Sequence, residues 1–258
     1  MRFFVIKSRT IKIVLGVILA MVLLAINIDG QASAQVFFNK TSRKVPIYEV
    51  ETSDKKVAIS FDASWGADKT TAIMDVLNEY EVNATFFLVG MWVDKYPDLV
   101  KEIDSRGFEI GTHSNTHPDL TKLDSNSIKL ELETSIKKIQ DLTNKTPKLF
   151  RAPFGAYNNT LIEEAEKLNL TTIQWSVDSL DWKGIEAEEL SKNILTKVKN
   201  GSIILCHNNS DHIVDALPTI LKCLKEQGYT VTSVGDLIYQ DNYTIDANGI
   251  QKSTNSSN

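Results

Sequence analysis

From residue 57 to residue 232 the chain alternates short apolar, β-branched and aromatic runs with longer stretches whose apolar residues fall three or four apart. This alternation confines the fold to a narrow class. Val57 to Phe61, Ala84 to Val89, Phe108 to Ile110, Lys148 to Arg151, Thr171 to Val177, Ser202 to Cys206 and Tyr229 to Thr232 read as strands. Between them, Ala67 to Tyr80, Pro97 to Ser105, Asn159 to Leu168, the region of Leu190, Ile194, Leu195 and Val198, and Ile213 to Glu226 read as helices. The longest helix carries Ile128, Leu132, Ile136, Ile139 and Leu142 on one stripe and starts at Ser125 or Asn126 as N-cap. Repeated strand–helix–strand units with right-handed crossovers predict an α/β chain folded as a closed or nearly closed barrel of about seven parallel strands.

Parallel strands deliver the loops that follow them to one rim, where α/β proteins place their sites. Here those loops are chemically rich. Asp62-Ala63-Ser64-Trp65-Gly66 follows the first strand, and His113-Ser114-Asn115-Thr116-His117 follows the third. Arg151-Ala152-Pro153-Phe154-Gly155, Asp178-Ser179-Leu180-Asp181-Trp182 and His207 follow later ones. Two of the four histidines fall within five residues, a spacing that lets two imidazoles reach one cation, although a lone H-x-x-x-H can equally be a pair of polar loop residues. Neutral imidazole suits zinc, cobalt or nickel. Carboxylates, an arginine and a further histidine around such a pair are the parts of metal-assisted hydrolysis.

The ordered set S-F-D-A-S-W-G, H-S-N-T-H, R-A-P-F-G, D-S-L-D-W and L-C-H resembles the five motifs of the polysaccharide deacetylase, or NodB-like, family over roughly residues 55 to 240. The resemblance implies a distorted (β/α) barrel and an amidohydrolase that removes acetyl groups from N-acetylated amino sugars of cell-wall polysaccharide, peptidoglycan above all. It implies Asp62 as general base, Arg151 as the partner that holds it, His207 as general acid, Asp181 as the carboxylate that orients His207, and His113 and His117 as metal ligands. It also implies the backbone N–H of Phe154 as an oxyanion donor. The first motif, taken with the export signal read in the amino-terminal segment, looks most like the sporulation-associated subgroup.

One departure stands out. The family's first motif carries two adjacent aspartates, base and third metal ligand, whereas here Asp62 is followed by Ala63. An alanine coordinates nothing, so weakened affinity for a divalent cation, zinc first, is expected unless Asp62 or Asp68 substitutes. The alternative to a deacetylase is therefore a catalytically weak or inactive glycan-binding protein.

The amino terminus reads as something other than fold. Arg2, Lys7, Arg9 and Lys12 precede an apolar run from Ile13 to Ile28, and Ala32-Ser33-Ala34 has the form of a signal-peptidase site. Residues 1–34 are expected to be a cleaved export signal or an uncleaved membrane anchor, 35–55 a linker, 56–240 the deacetylase-like domain and 241–258 a polar tail. Either reading of the first segment places the domain outside the cytoplasm, in the wall or held to the membrane through that anchor alone. The net charge of -5 excludes the broad basic surface that nucleic acid would require. Cys206 and Cys223 read as small buried hydrophobes, with a disulfide as the other option.

Overall fold

The computed structural model describes residues 43–255, together with Val17 and Ile18, which are helical. The chain divides into two compact units, residues 1–42 and 43–258, and the strands, connecting helices and pocket all belong to the second. The signal or anchor expected over residues 1–34 otherwise lies outside the described residues. Among those described, no helix is long and apolar enough to cross a membrane.

The main sheet contains β2 (Lys56–Ala63), β3 (Thr85–Leu88), β4 (Glu109–Thr112), β5 (Leu149–Phe150), β6 (Thr171–Thr172), β7 (Val177–Asp178), β8 (Ile203–His207) and β9 (Thr230–Thr232). Its order is β6-β5-β4-β3-β2-β8-β7, with β9 also on β2, and every pairing is parallel. β2 is the central strand, because one edge serves β8 while the other serves β9 and then β3. Ala58 N donates to Ser202 O on the first edge; on the second, Thr230 N donates to Lys55 O and Val89 N to Ala63 O. The expected α/β barrel of parallel strands is thus present as a curved half-barrel.

Helices α1 (Thr70–Glu79), α2 (Gly90–Lys95), α3 (Pro97–Ser105), α4 (Ser125–Thr143), α5 (Asn159–Lys167), α6 (Ala187–Leu195), α7 (Ile213–Glu226) and α8 (Val234–Leu237) connect the strands. Strand alternation sorts the core into layers. Val57, Ile59, Phe61 and Ala63 of β2 join Ile73, Met74 and Leu77 of α1 and Leu217, Ile220 and Leu221 of α7 in one cluster. Ala58 joins a second with Phe87, Ile173 and Ile203. Burying each of the larger side chains stabilises the fold by about 1.5–3 kcal/mol.

Several boundaries differ from expectation for local reasons. The long helix is capped by Asp124, whose side chain accepts from Ser127 N, rather than by Ser125 or Asn126. The strand expected over Thr171 to Val177 is two pieces, because Gln174 N turns to Ile47 O and Ser176 N to Ile203 O.

The linker and the tail are corrected more substantially. β1 (Glu49–Val50) lies within the expected linker, and Ile47 and Glu49 bridge Ile173 and Ser202 beside it. β10 (Tyr243–Ile245) and β11 (Ile250–Ser253) lie within the expected tail and form a second sheet with β1. Gly201 permits this close approach, since a Cβ there would sit 1.7 Å from Val50 O. These strands are too short and too polar to show a period, so only their partners reveal them. Cys206 is buried and Cys223 is half-buried, and both are free thiols.

Candidate active site

Register brings the strand-end residues together. Asp62 on β2 lies level with His207 on β8, and Ala63 lies level with Leu88 and so with Thr112 and Phe150. His113 and Arg151 are the next residues after those last two, held by His113 N to Leu88 O and Arg151 N to Thr112 O. Asp62, His113, His117, Asp181 and His207 consequently line one pocket of about 800 Å³, while Arg151 lies fully buried beside it.

Asp62 is fixed from behind. Arg151 donates from Nη1 to Asp62 Oδ1 at 2.8 Å and from Nη2 to Gln174 O at 3.2 Å, with its guanidinium 4.1 Å over the Phe87 ring. Burial alone would raise the Asp62 carboxyl, but Arg151, then His113 and His207, outweigh it and hold the group below the usual carboxylate value. Asp62 is therefore an anion at neutral pH, and its Oδ2 stands 3.5 Å from His113 Nε2.

The histidine pair is neutral. His113 Nδ1 donates to Arg151 O at 2.7 Å, which leaves the Nε2 lone pair facing Asp62. Burial lowers the pKa of His113, and burial followed by the neighbouring His113 lowers that of His117 to about 4. The loop between them is tied to α4: Glu131 accepts from Asn115 N and Thr116 N at 2.9 Å each and from Thr116 Oγ1 at 2.7 Å. Ser114 and His117 adopt left-handed backbone angles, and the His117 ring is packed edge-on by His113, Trp65 and Phe154.

His207 is gripped twice by Asp181, which accepts from its backbone N at 2.7 Å and pairs with its Nδ1 at 2.7 Å. Burial pulls this imidazole down, but the bond and charge of Asp181, with Asp62 and Asp178 beyond, leave it above its ordinary value. Asp178 caps a turn, its Oδ1 accepting from Leu180 N at 2.8 Å.

The third-ligand position fails. Ala63 is fully buried and its methyl joins the helix-facing core rather than the pocket wall. Asp68 does not line the pocket either. A resident divalent cation would meet two imidazoles and one carboxylate already committed to Arg151. Among the described residues no group of three His, Cys, Asp or Glu is arranged to hold a metal ion. The residues present do not fit a complete three-ligand metal centre.

Other wall residues belong to none of the motif roles. Asn208 ties the site's loops, donating to Gly66 O at 3.1 Å and to Thr70 Oγ1 at 3.0 Å. Asn209 and Ser210 follow it and each holds a buried side-chain oxygen without a hydrogen-bond partner. Their position straight after a strand is the signal that could have found them. Trp65 and Trp182 are 65% and 59% exposed at the rim, whereas Trp175 is half-buried. His212, outside every motif, is the N-cap of α7 and lies 3.8 Å from Glu186.

The family model described as polysaccharide deacetylase matches residues 49–173. The chain is 34% identical to the peptidoglycan-N-acetylglucosamine deacetylase PgdA of Listeria monocytogenes, over 81% of this chain and 44% of that protein. It is 32% identical to the peptidoglycan-N-acetylmuramic acid deacetylase PdaA of Bacillus subtilis, over 75% of each. Among solved structures, a CE4 family pseudoenzyme from Bacillus anthracis superposes with a TM-score of 0.73 at 34% identity, covering 75% of this chain and 68% of that one. The chain spans less than half of the Listeria protein and 60% of a further Bacillus subtilis relative.

Proposed function

The chain belongs to the polysaccharide deacetylase family, and from that premise we propose that it binds N-acetylated amino-sugar units of peptidoglycan in the rim pocket and removes their acetyl groups slowly. The observation that carries this reading is the pair of preformed couples, Asp62 with Arg151 and Asp181 with His207, set beside an incomplete metal-ligand set.

Amide hydrolysis needs a water deprotonated as it attacks and an amine protonated as it leaves. Asp62 Oδ1 is engaged by Arg151, so Oδ2 is the oxygen free to accept the water proton. Its depressed pKa makes it a weak base. His207, fixed by Asp181 at Nδ1, presents Nε2 as the donor to the departing nitrogen. A weak base without a full Lewis-acid site gives slow turnover. A divalent cation, zinc first and cobalt or nickel as substitutes, would bind His113 and His117 weakly.

Export is part of the proposal, supported by the basic residues, apolar run and A-x-A site of the first 34 residues. The S-F-D-A-S-W-G variant together with that segment supports a role linked to sporulation. A second reading, glycan binding without hydrolysis, is favoured by the burial of Ala63 and by the likeness to a pseudoenzyme.

The test is acetate release and sedimentation with N-acetylated peptidoglycan, with and without added zinc or cobalt. Binding with slow acetate release that His207→Ala abolishes supports the first reading, and binding without acetate supports the second. No binding overturns both.

A further inference from the structure

The relatives include enzymes for both amino sugars of peptidoglycan at nearly equal identity, so the choice between them falls to the charge of this chain's own pocket. The described residues lining it include four aspartates, Asp62, Asp178, Asp181 and Asp211, and no lysine or arginine. Three of the carboxylates are answered locally: Asp62 by Arg151, Asp181 by His207, and Asp211 by Lys69 at 3.7 Å. Lys183, the other nearby cation, stands over the Trp182 ring at 5.1 Å.

Asp178 is different. Its Oδ1 accepts from Leu180 N, no basic side chain among the described residues pairs with it, and it faces the same pocket as His207. N-acetylmuramic acid differs from N-acetylglucosamine by a 3-O-lactyl arm ending in a carboxylate or an attached peptide. A carboxylate brought into this pocket finds no lysine or arginine on the wall, where His207 is already paired with Asp181, and it is opposed by Asp178, whereas sugar hydroxyls and amide N–H groups can donate to Asp178.

We propose that Asp178, in a pocket wall without lysine or arginine, makes this site select N-acetylglucosamine units over N-acetylmuramic acid units. The proposal rests on the glycan-binding reading and names its sugar. Asp178 acts as a specificity-determining residue through charge and hydrogen bonding to substrate.

Calorimetric titration of the full chain tests it with two matched ligands. One is N-acetylchitotetraose; the other is the tetrasaccharide of alternating N-acetylglucosamine and N-acetylmuramic acid with free lactyl carboxylates. The expected result is about tenfold tighter binding of the neutral ligand, a gap that narrows in high salt. Asp178→Asn narrows the gap chiefly by improving the anionic ligand, and Asp178→Ser, which also keeps an acceptor for Leu180 N, does the same. Equal affinities, or a gap unchanged in both folded variants, would overturn the proposal while leaving glycan binding standing. If neither ligand binds, the glycan reading falls and this inference with it.

Discussion

Asp181 holds His207 at two points, accepting the backbone N–H at 2.7 Å through Oδ2 and meeting Nδ1 at 2.7 Å through Oδ1. One carboxylate therefore sets the tautomer, the ring plane and the charge of the imidazole together. Asp181→Asn keeps an acceptor for the backbone but loses the anion, so the His207 pKa should fall below that of the parent, as a titration of its ring proton by NMR would record. In the parent the folded value is raised, so the pairing contributes stability fully below the unfolded value of about 6.5 and loses it as pH rises through the folded value. The melting-temperature difference between parent and variant should accordingly be larger near about pH 5.5 than near about pH 9.

Arg151 is completely buried, and its one anionic partner among the described residues is Asp62. Asp62→Ala leaves a guanidinium without a counter-charge among Phe87 and Trp175, a situation that costs about 3–5 kcal/mol. Urea unfolding at neutral pH should show a loss of that size, and a loss under about 1 kcal/mol would mean that Gln174 O and solvent suffice for Arg151. Because the Asp62 carboxyl is depressed in the folded state, its contribution is present above the unfolded carboxylate value and disappears as pH falls through the folded value. The gap between parent and variant should therefore shrink in acid.

Glu131 holds the loop between the two motif histidines by three hydrogen bonds from Asn115 and Thr116. Thr116 is exposed, so Glu131→Ala should cost only about 1–2 kcal/mol in stability. Its larger effect should be local. Amide exchange at Asn115 and Thr116 should quicken while exchange in the core strands stays unchanged, and equal quickening throughout would assign Glu131 a general structural role.

Much of this site is legible in the sequence alone. Asp62, His113, Arg151, Asp178 and His207 sit at or just beyond strand ends, and a parallel sheet must bring such residues to one rim. Glu131 is not legible, because a mid-helix glutamate reads as a solvated face until the loop it holds is seen. Nor is β11, whose four residues are polar apart from Ile250; the buried amide of Gln251 is satisfied by the backbone of Tyr239, a partner that no hydrophobic period announces. The direction of Ala63 follows from strand geometry, since in a strand where Asp62 faces the pocket its neighbour faces the other layer.

Ala63→Asp joins that geometry to the family's missing ligand. The new carboxylate replaces a methyl that is 0% exposed in the helix-facing core, so without metal the variant should lose about 2 kcal/mol or more of stability. If the end of β2 turns the carboxylate toward His113 and His117, the three donors form a cation site, and zinc then stabilises the folded state by mass action. We expect added zinc to raise the melting temperature of the variant more than that of the parent. An equal response in the two proteins would show that the aspartate stays within the apolar layer and that the incomplete donor set is fixed by the strand rather than by one side chain.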